Sequence, residues 1–518
     1  MTVKTSDLFK RLCLGILVFG WLAGLALADP TGTSTGGIND VPADILGQPS
    51  VNEIAQSVGQ SRVALNILWT MLAGFMVMFM QAGFSLVEMG FVRTKNAANT
   101  ALSVLLTYGV GVLGFWAVGF ALQMGGAQGL YPQIGGAANL NNLIGPTING
   151  NTWGFLGGTG FGLAGASYDI STFTLFFFQS VFLAAALAIP TGAFAERIKT
   201  SALIIYAVFA SILIYPIYAN WVWGGGWLAT LGVNLGLGHG YVDFAGSGVV
   251  HLTGGVMALM GVLVLGPRIG KYGRDGTVRS FTAHNLPLGI LGTFILAFGW
   301  FGFNAGSTLA ATDVRFSVVA VSAMLSSTAG MLTALAITWA TSGKVDVGAI
   351  CNGMLAGLAA NTACGAFIGA PASIVVGVVA ATAYIYGSGF IEHRLKIDDP
   401  VGAIAVHGFG GLVGMLSLGI FADGTYGSGI NGVTGGVTGL LYGGYSQFLS
   451  QLIGIGANII WVGLTSYALF RLIDVIIGMR VKPESELRGL DNSELLVAAY
   501  GNPDQASDEA PLALPWTQ

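Results

Sequence analysis

Eleven apolar stretches, each near the ~20 residues that a membrane-spanning helix requires, follow one another through most of this chain. Hydropathy places them at about 63–91, 100–124, 172–195, 201–222, 244–266, 285–306, 316–341, 347–369, 372–392, 402–421 and 445–479. Charged residues make up only 8% of the 518, against about 25% in a soluble globular protein. Mean hydropathy is +0.73. So few charges cannot cover a soluble surface, which excludes a soluble enzyme and a nucleic-acid binder. High apolar content with a net charge of −4 excludes disorder, and the 81 glycines follow no G-x-y period. The class is all-α and integral to the membrane, with small residues letting helices pack closely.

Ahead of the spans, Lys4, Lys10 and Arg11, an apolar run from Leu12 to Leu27 and the Ala26-Leu27-Ala28 triplet read as a signal peptide over 1–28. An uncleaved first span is the rival reading. Residues 29–61 are then an extracytoplasmic segment, 62–481 the eleven-helix domain and 482–518 a cytoplasmic tail. The Gly- and Asn-rich 125–171 connection is expected to form an ordered external loop.

Basic residues fix the orientation. Arg93, Lys95, Arg197, Lys199, Arg268, Lys271, Arg274, Arg279, Lys344, Arg394, Lys396, Arg480, Lys482 and Arg488 all fall in alternate connections or the tail. The 125–171 and 223–243 connections carry no Lys or Arg, and Arg315 is the main exception. The positive-inside rule puts the N-terminus outside and the C-terminus in the cytoplasm. The expected location is the inner (plasma) membrane.

Val250-His251-Leu252-Thr253-Gly254-Gly255 in the fifth span echoes Val406-His407-Gly408-Phe409-Gly410-Gly411 in the tenth. Five spans per half reverse direction, so the pattern predicts a 5+5 inverted repeat with its site at the interface. His251 and His407 each lie eight residues past an aspartate, Asp243 and Asp399. That is roughly 12 Å into a core about 30 Å thick, from opposite sides. The two imidazoles converge near the middle, where an ionisable group is functional by default. Sharing one N–H···N bond, they keep one outward donor and one outward acceptor. The plainer reading is that each histidine braces a neighbouring helix. No third histidine or carboxylate accompanies the pair, so neither metal nor cofactor is expected. His239, His284 and His393 sit at loops or helix ends and read as structural. Cys351 and Cys364, ~20 Å apart along one helix, cannot pair.

Other polar and aromatic residues carry two readings. Glu88, five residues before Arg93, reads as snorkelling to the inner interface. Asp243 reads as an N-cap, or as help for a cation at the outer mouth. Trp221, Trp223 and Trp227 read as an interfacial belt, or as an aromatic surface for a small ammonium-type cation.

Several runs taken together resemble the ammonium transporter family, which includes methylammonium permeases and Rh proteins. They are Asp243-Phe-Ala-Gly-Ser-Gly-Val-Val-His251, Gly299-Trp-Phe-Gly-Phe-Asn-Ala-Gly-Ser307 and Asp398-Asp-Pro-Val-Gly-Ala-Ile-Ala-Val-His407. Trp221-Val-Trp-Gly-Gly-Gly-Trp227, Gly192-Ala-Phe-Ala-Glu-Arg197, Arg93-Thr-Lys-Asn96 and Cys351-Asn-Gly-Met-Leu-Ala-Gly357 follow the family pattern too. The resemblance implies a homotrimer carrying ammonium, ammonia and methylammonium through one narrow apolar pore per subunit. It implies Trp223, Ser307, Phe182 and Asp243 at an outer recruitment site, Phe182 and Phe303 as a gate, and His251, His407 and Trp300 in the pore. A PII-type signalling protein on the cytoplasmic face is a further implied partner. The chain departs from the family at Ala82-Gly-Phe-Ser-Leu-Val-Glu-Met-Gly90 and at Glu494-Leu-Leu, the latter bearing on control through the tail. A membrane ammonium sensor signalling through the tail is the alternative, although 482–518 carries no catalytic motif.

Overall fold

A computed structural model describes residues 50–428, 433, 435–495, 497, 499 and 500; the expected signal peptide lies outside them. Eleven helices among the described residues are long and apolar enough to cross a membrane. They are α1 (Val51–Phe91), α2 (Thr94–Met124), α3 (Ile170–Phe194), α4 (Thr200–Trp223), α5 (Ser247–Leu265), α6 (Leu286–Thr308), α7 (Arg315–Ser342), α8 (Val347–Cys364), α9 (Ala370–Arg394), α10 (Ile404–Phe421) and α11 (Tyr445–Ile477). Each overlaps the stretch expected from hydropathy.

The clearest difference is the start of α1. The helix already occupies 51–61, ahead of the first apolar stretch, because Ser50 and Glu53 form a reciprocal capping box. Those first turns are polar and mostly exposed, so hydropathy does not register them.

Burial sorts the helices into layers. The apolar windows of α3 and α5 are 83% and 78% buried, whereas those of α2 and α11 are only 28% buried and present apolar side chains outward. The first helices of the two halves, α1 and α6, meet along glycines. A Cβ on Gly90 would lie 2.7 Å from the Gly289 nitrogen, and one on Gly302 would lie 2.6 Å from the Ala73 carbonyl. The last helices, α5 and α10, meet in the same way. A Cβ on Gly255 would come within 2.5 Å of Gly408 Cα, and one on Gly411 within 2.4 Å of the Ser247 carbonyl. The second glycine of each repeated motif therefore lets the opposite half approach. This contact is what brings the two histidines together.

The 125–171 connection folds into two short antiparallel pairs, Leu143–Ile144 with Leu156–Gly157 and Thr147–Ile148 with Asn151–Thr152. Trp221 donates its indole N–H to the Phe155 carbonyl of this loop at 3.0 Å, and its ring packs on Trp227 and Trp461. These two tryptophans pin the loop, while Trp223 takes a different surface.

At the opposite, basic end the chain is tied by buried charge. Arg268 clamps Asp398 through Nε–Oδ2 and Nη2–Oδ1, both 2.9 Å, and reaches Glu196 at 3.1 Å. Burial alone would raise the Asp398 carboxyl, but the Arg268 fork and nearby Arg197 overcome it and hold the group well below the usual carboxylate range. Arg93 also bonds Glu196, with Nε–Oε2 at 2.6 Å. Glu88 therefore does not snorkel to Arg93; it is buried and accepts from Thr191. The described tail docks on this end, with the Asp491 carboxylate accepting the Ala98 and Asn99 N–H groups at 3.1 and 2.8 Å near the start of α2.

Candidate functional site: a conduit through two histidines

Two aspartates set the two histidines. The Asp243 carboxylate accepts N–H bonds from Gly246, Gly248 and Val249 at 2.8–3.0 Å, starting α5. Asp399 accepts from Ala403 and Ile404 at 3.1 and 2.7 Å, starting α10. Each helix then opens with a widened π turn, Ser247–Leu252 or Ile404–Phe409, that contains the histidine. In the first of these turns the Gly248 carbonyl takes the widened bond from the Thr253 N–H and also accepts from the Thr253 hydroxyl and the Asn458 amide.

Both imidazoles are buried, at 0% and 4% exposure, and His251 Nδ1 lies 3.2 Å from His407 Nδ1. The ring planes differ by 23°. Trp300 stacks on His251 with centroids 5.0 Å apart, and its indole N–H is fixed by the Thr362 hydroxyl at 2.9 Å. His251 Nε2 has no hydrogen-bond partner among the described residues. One imidazole must donate and the other accept at the Nδ1–Nδ1 contact, so each Nε2 retains its own hydrogen-bonding capacity.

Phe303 lies on the far side of His251, with centroids 5.5 Å apart. It stacks on Phe182 at 4.1 Å and 23°, forming a two-ring plug. Beyond the plug opens a vestibule of about 840 Å3, lined among others by Phe178, Gln179, Phe182, Trp223, Phe244 and Ser307. Trp223 turns its edge toward Phe182, 6.0 Å away, and donates its N–H to the Asp243 carbonyl at 2.7 Å. Asp243 thus supports this surface through its backbone while its carboxylate is spent on the helix start. Desolvation there pushes its carboxyl up to about 6, against the backbone N–H groups that favour its charge. The Ser307 hydroxyl donates to the Phe303 carbonyl at 2.7 Å, leaving its oxygen able to accept.

On the other side of the pair is a much smaller cavity, about 20 Å3, lined by Phe84, Glu88, Leu296, Asn352, Val406 and His407 among others. Vestibule, phenyl pair, imidazole pair and inner cavity follow in that order. The residues expected at a recruitment site, gate and pore all fall along this line. Gln179, Phe178 and the carboxylate Glu88 were not anticipated there. Gln179 stands three residues before Phe182 on the same helical face, which is the signal that could have found it.

The remaining histidines stand apart. His239 approaches the Gly436 carbonyl at 3.3 Å, and His284 bridges the Val92 carbonyl and the Tyr500 hydroxyl at 3.0 Å each. Among the described residues no group of three or more His, Cys, Asp or Glu side chains could hold a metal.

Known proteins resemble this chain in sequence and fold. A model of the Ammonium Transporter Family matches residues 68–500. Ammonium transporter Amt2 of Archaeoglobus fulgidus is 45% identical over 508 residues, covering 97% of this chain and 98% of that protein. Ammonium transporter 3 of Dictyostelium discoideum is 33% identical, over 83% of this chain and 93% of its own. Among solved structures, a Sensor Amt Protein superposes with a TM-score of 0.71 at 33% identity, covering 84% of this chain and 99% of that one. Mep2 of Saccharomyces cerevisiae gives 0.67 at 25%, over 81% and 88%. The chain belongs to the Ammonium Transporter Family and is a multi-pass membrane transport protein rather than an enzyme.

Proposed function

We propose that this protein takes ammonium, and methylammonium, from the vestibule and passes it to the basic side by separating it into an amine and a proton. The observation that carries the reading is the unbroken series from Trp223 through Phe182 and Phe303 to the His251–His407 pair. Placing the basic end in the cytoplasm makes the vestibule external.

Ammonium greatly outnumbers ammonia at neutral pH, so an uptake system must first attract the cation. The indole of Trp223 attracts it through its ring face, and the Ser307 oxygen accepts one of its N–H bonds. Moving the intact ion through an apolar conduit costs several kcal/mol at least. Deprotonation at the phenyl pair removes that cost, after which the twin imidazoles guide ammonia, the proton or both. Potassium has no proton to give up, which supplies selectivity. The assembly we infer is a homotrimer with one conduit per subunit, its basic face available to a PII-type protein.

The test is uptake in proteoliposomes under an ammonium or potassium gradient. Ammonium-driven flux without potassium flux supports the proposal. Ammonium binding with no flux would instead favour a sensor that signals through the docked tail.

A further inference from the structure

We propose that Glu88 is the proton acceptor at the inner end of the conduit, taking the proton that leaves His407. The inference rests on the transport reading above and adds a route and a destination for the proton.

Glu88 is 3% exposed, in the last turn of α1, and its cavity is lined mostly by apolar side chains. The nearest arginine in sequence, Arg93, is committed to Glu196. What Glu88 does share is a cavity with His407, and the roughly 20 Å3 there is room for one water, which needs about 10–15 Å3. One water between an imidazole and a carboxylate is sufficient for a proton step.

The surroundings of Glu88 serve both of its protonation states. Thr191 Oγ1 lies 2.9 Å from each carboxylate oxygen and 2.5 Å from the Ala188 carbonyl. A hydroxyl has one hydrogen and can also accept. When Glu88 is charged, Thr191 donates to it. When Glu88 is protonated, it donates to Thr191, whose hydrogen turns to Ala188. A carboxylate serving only as a brace needs one of these arrangements; a proton stop needs both. His407 on α10 and Asp399 just ahead of α10 are the titratable groups facing it, and Asp399 is spent on the α10 start.

The transfer balances. With the shared hydrogen on His251 Nδ1, a proton released by ammonium binds His251 Nε2. The Nδ1 hydrogen shifts to His407 Nδ1, and the hydrogen on His407 Nε2 passes through water to a Glu88 oxygen. Glu88 then releases it to the inner side. Each passage leaves both imidazoles in the opposite tautomer, which must reverse before the next. One positive charge crosses per proton so conducted.

The test measures ammonium-driven current and internal acidification in proteoliposomes holding the full chain, for wild type, Glu88→Gln and Glu88→Asp. Gln keeps the size and an acceptor for Thr191 but takes up no proton. Glu88→Gln is expected to lose current by at least about tenfold, as removal of a positioned proton acceptor does, while Glu88→Asp retains most of it. Current and internal-pH dependence unchanged in Glu88→Gln would overturn the proposal. Wild type giving no ammonium flux at all would overturn the transport reading instead. Should Glu88→Gln fail to fold, Thr191→Val decides. The charged carboxylate then lacks its donor, so inhibition by internal acid should set in at a higher pH, and an unshifted profile contradicts the role.

Discussion

Trp223 donates its indole hydrogen to the backbone carbonyl of Asp243, 2.7 Å away, while the Asp243 carboxylate holds the first turn of the helix that carries His251. One residue therefore fixes both the position of the Trp223 indole at the vestibule and the depth of His251. In the proposed route this links recruitment to conduction, and altering either partner should be felt at the other.

Replacing Trp223 with Leu removes the ring proposed to attract the cation. A cation–π contact contributes about 0.5–2 kcal/mol, so the half-saturating ammonium concentration should rise roughly two- to thirtyfold. Initial uptake rates against concentration give the value, and circular dichroism checks folding. An unchanged half-saturation would reject the assigned recruitment role.

The approach of the two halves is set by Gly411, where an added Cβ would lie 2.4 Å from the Ser247 carbonyl. Gly411→Ala should destabilise the protein by about 1–3 kcal/mol through overpacking, and should slow uptake by separating the imidazoles. Gly389→Ala is the control, because nothing lies within 4 Å of the position a Cβ would take there. Thermal unfolding in detergent compares the two, and equal behaviour would contradict the packing argument.

At the basic end, Asp398→Asn breaks a buried, bidentate pair with Arg268. Breaking such a pair from one side typically costs about 3–5 kcal/mol. The pH dependence has a defined sign. The folded-state carboxyl is held below its unfolded value, so its stabilisation is present above the ordinary carboxylate range and is lost as pH falls through the lower, folded value. Thermal stability of the wild type should therefore drop more steeply in acid than that of Asp398→Asn. Parallel curves would contradict this.

Hydropathy and the repeated V-H-x-x-G-G motif were enough to locate the spans and the paired histidines, because both signals arise from long-range requirements of a bilayer. Features set by local hydrogen bonding were harder to read. The start of α1 depends on the Ser50–Glu53 box, a signal of a few polar residues outside any apolar run. Glu88 was misplaced because it is near Arg93 in sequence. The helix ends at Phe91 and the chain is extended at Val92 and Arg93, so Arg93 leaves the helix that carries Glu88 and reaches Glu196 instead. The three tryptophans look equivalent in sequence, yet Trp221 bonds the 125–171 loop and Trp223 lines the vestibule. Which partner each takes is decided by chain segments about 66 and 20 residues away.

The central claim is that nitrogen passes the contact between His251 and His407. Its most direct test is ammonium-driven current and methylammonium uptake in proteoliposomes for wild type, His251→Ala, His407→Ala and the double variant, with potassium as competitor. The account predicts a large loss of rate, or of ammonium-over-potassium selectivity, in each single variant and in the double. A double variant that transports and discriminates like the wild type would contradict it.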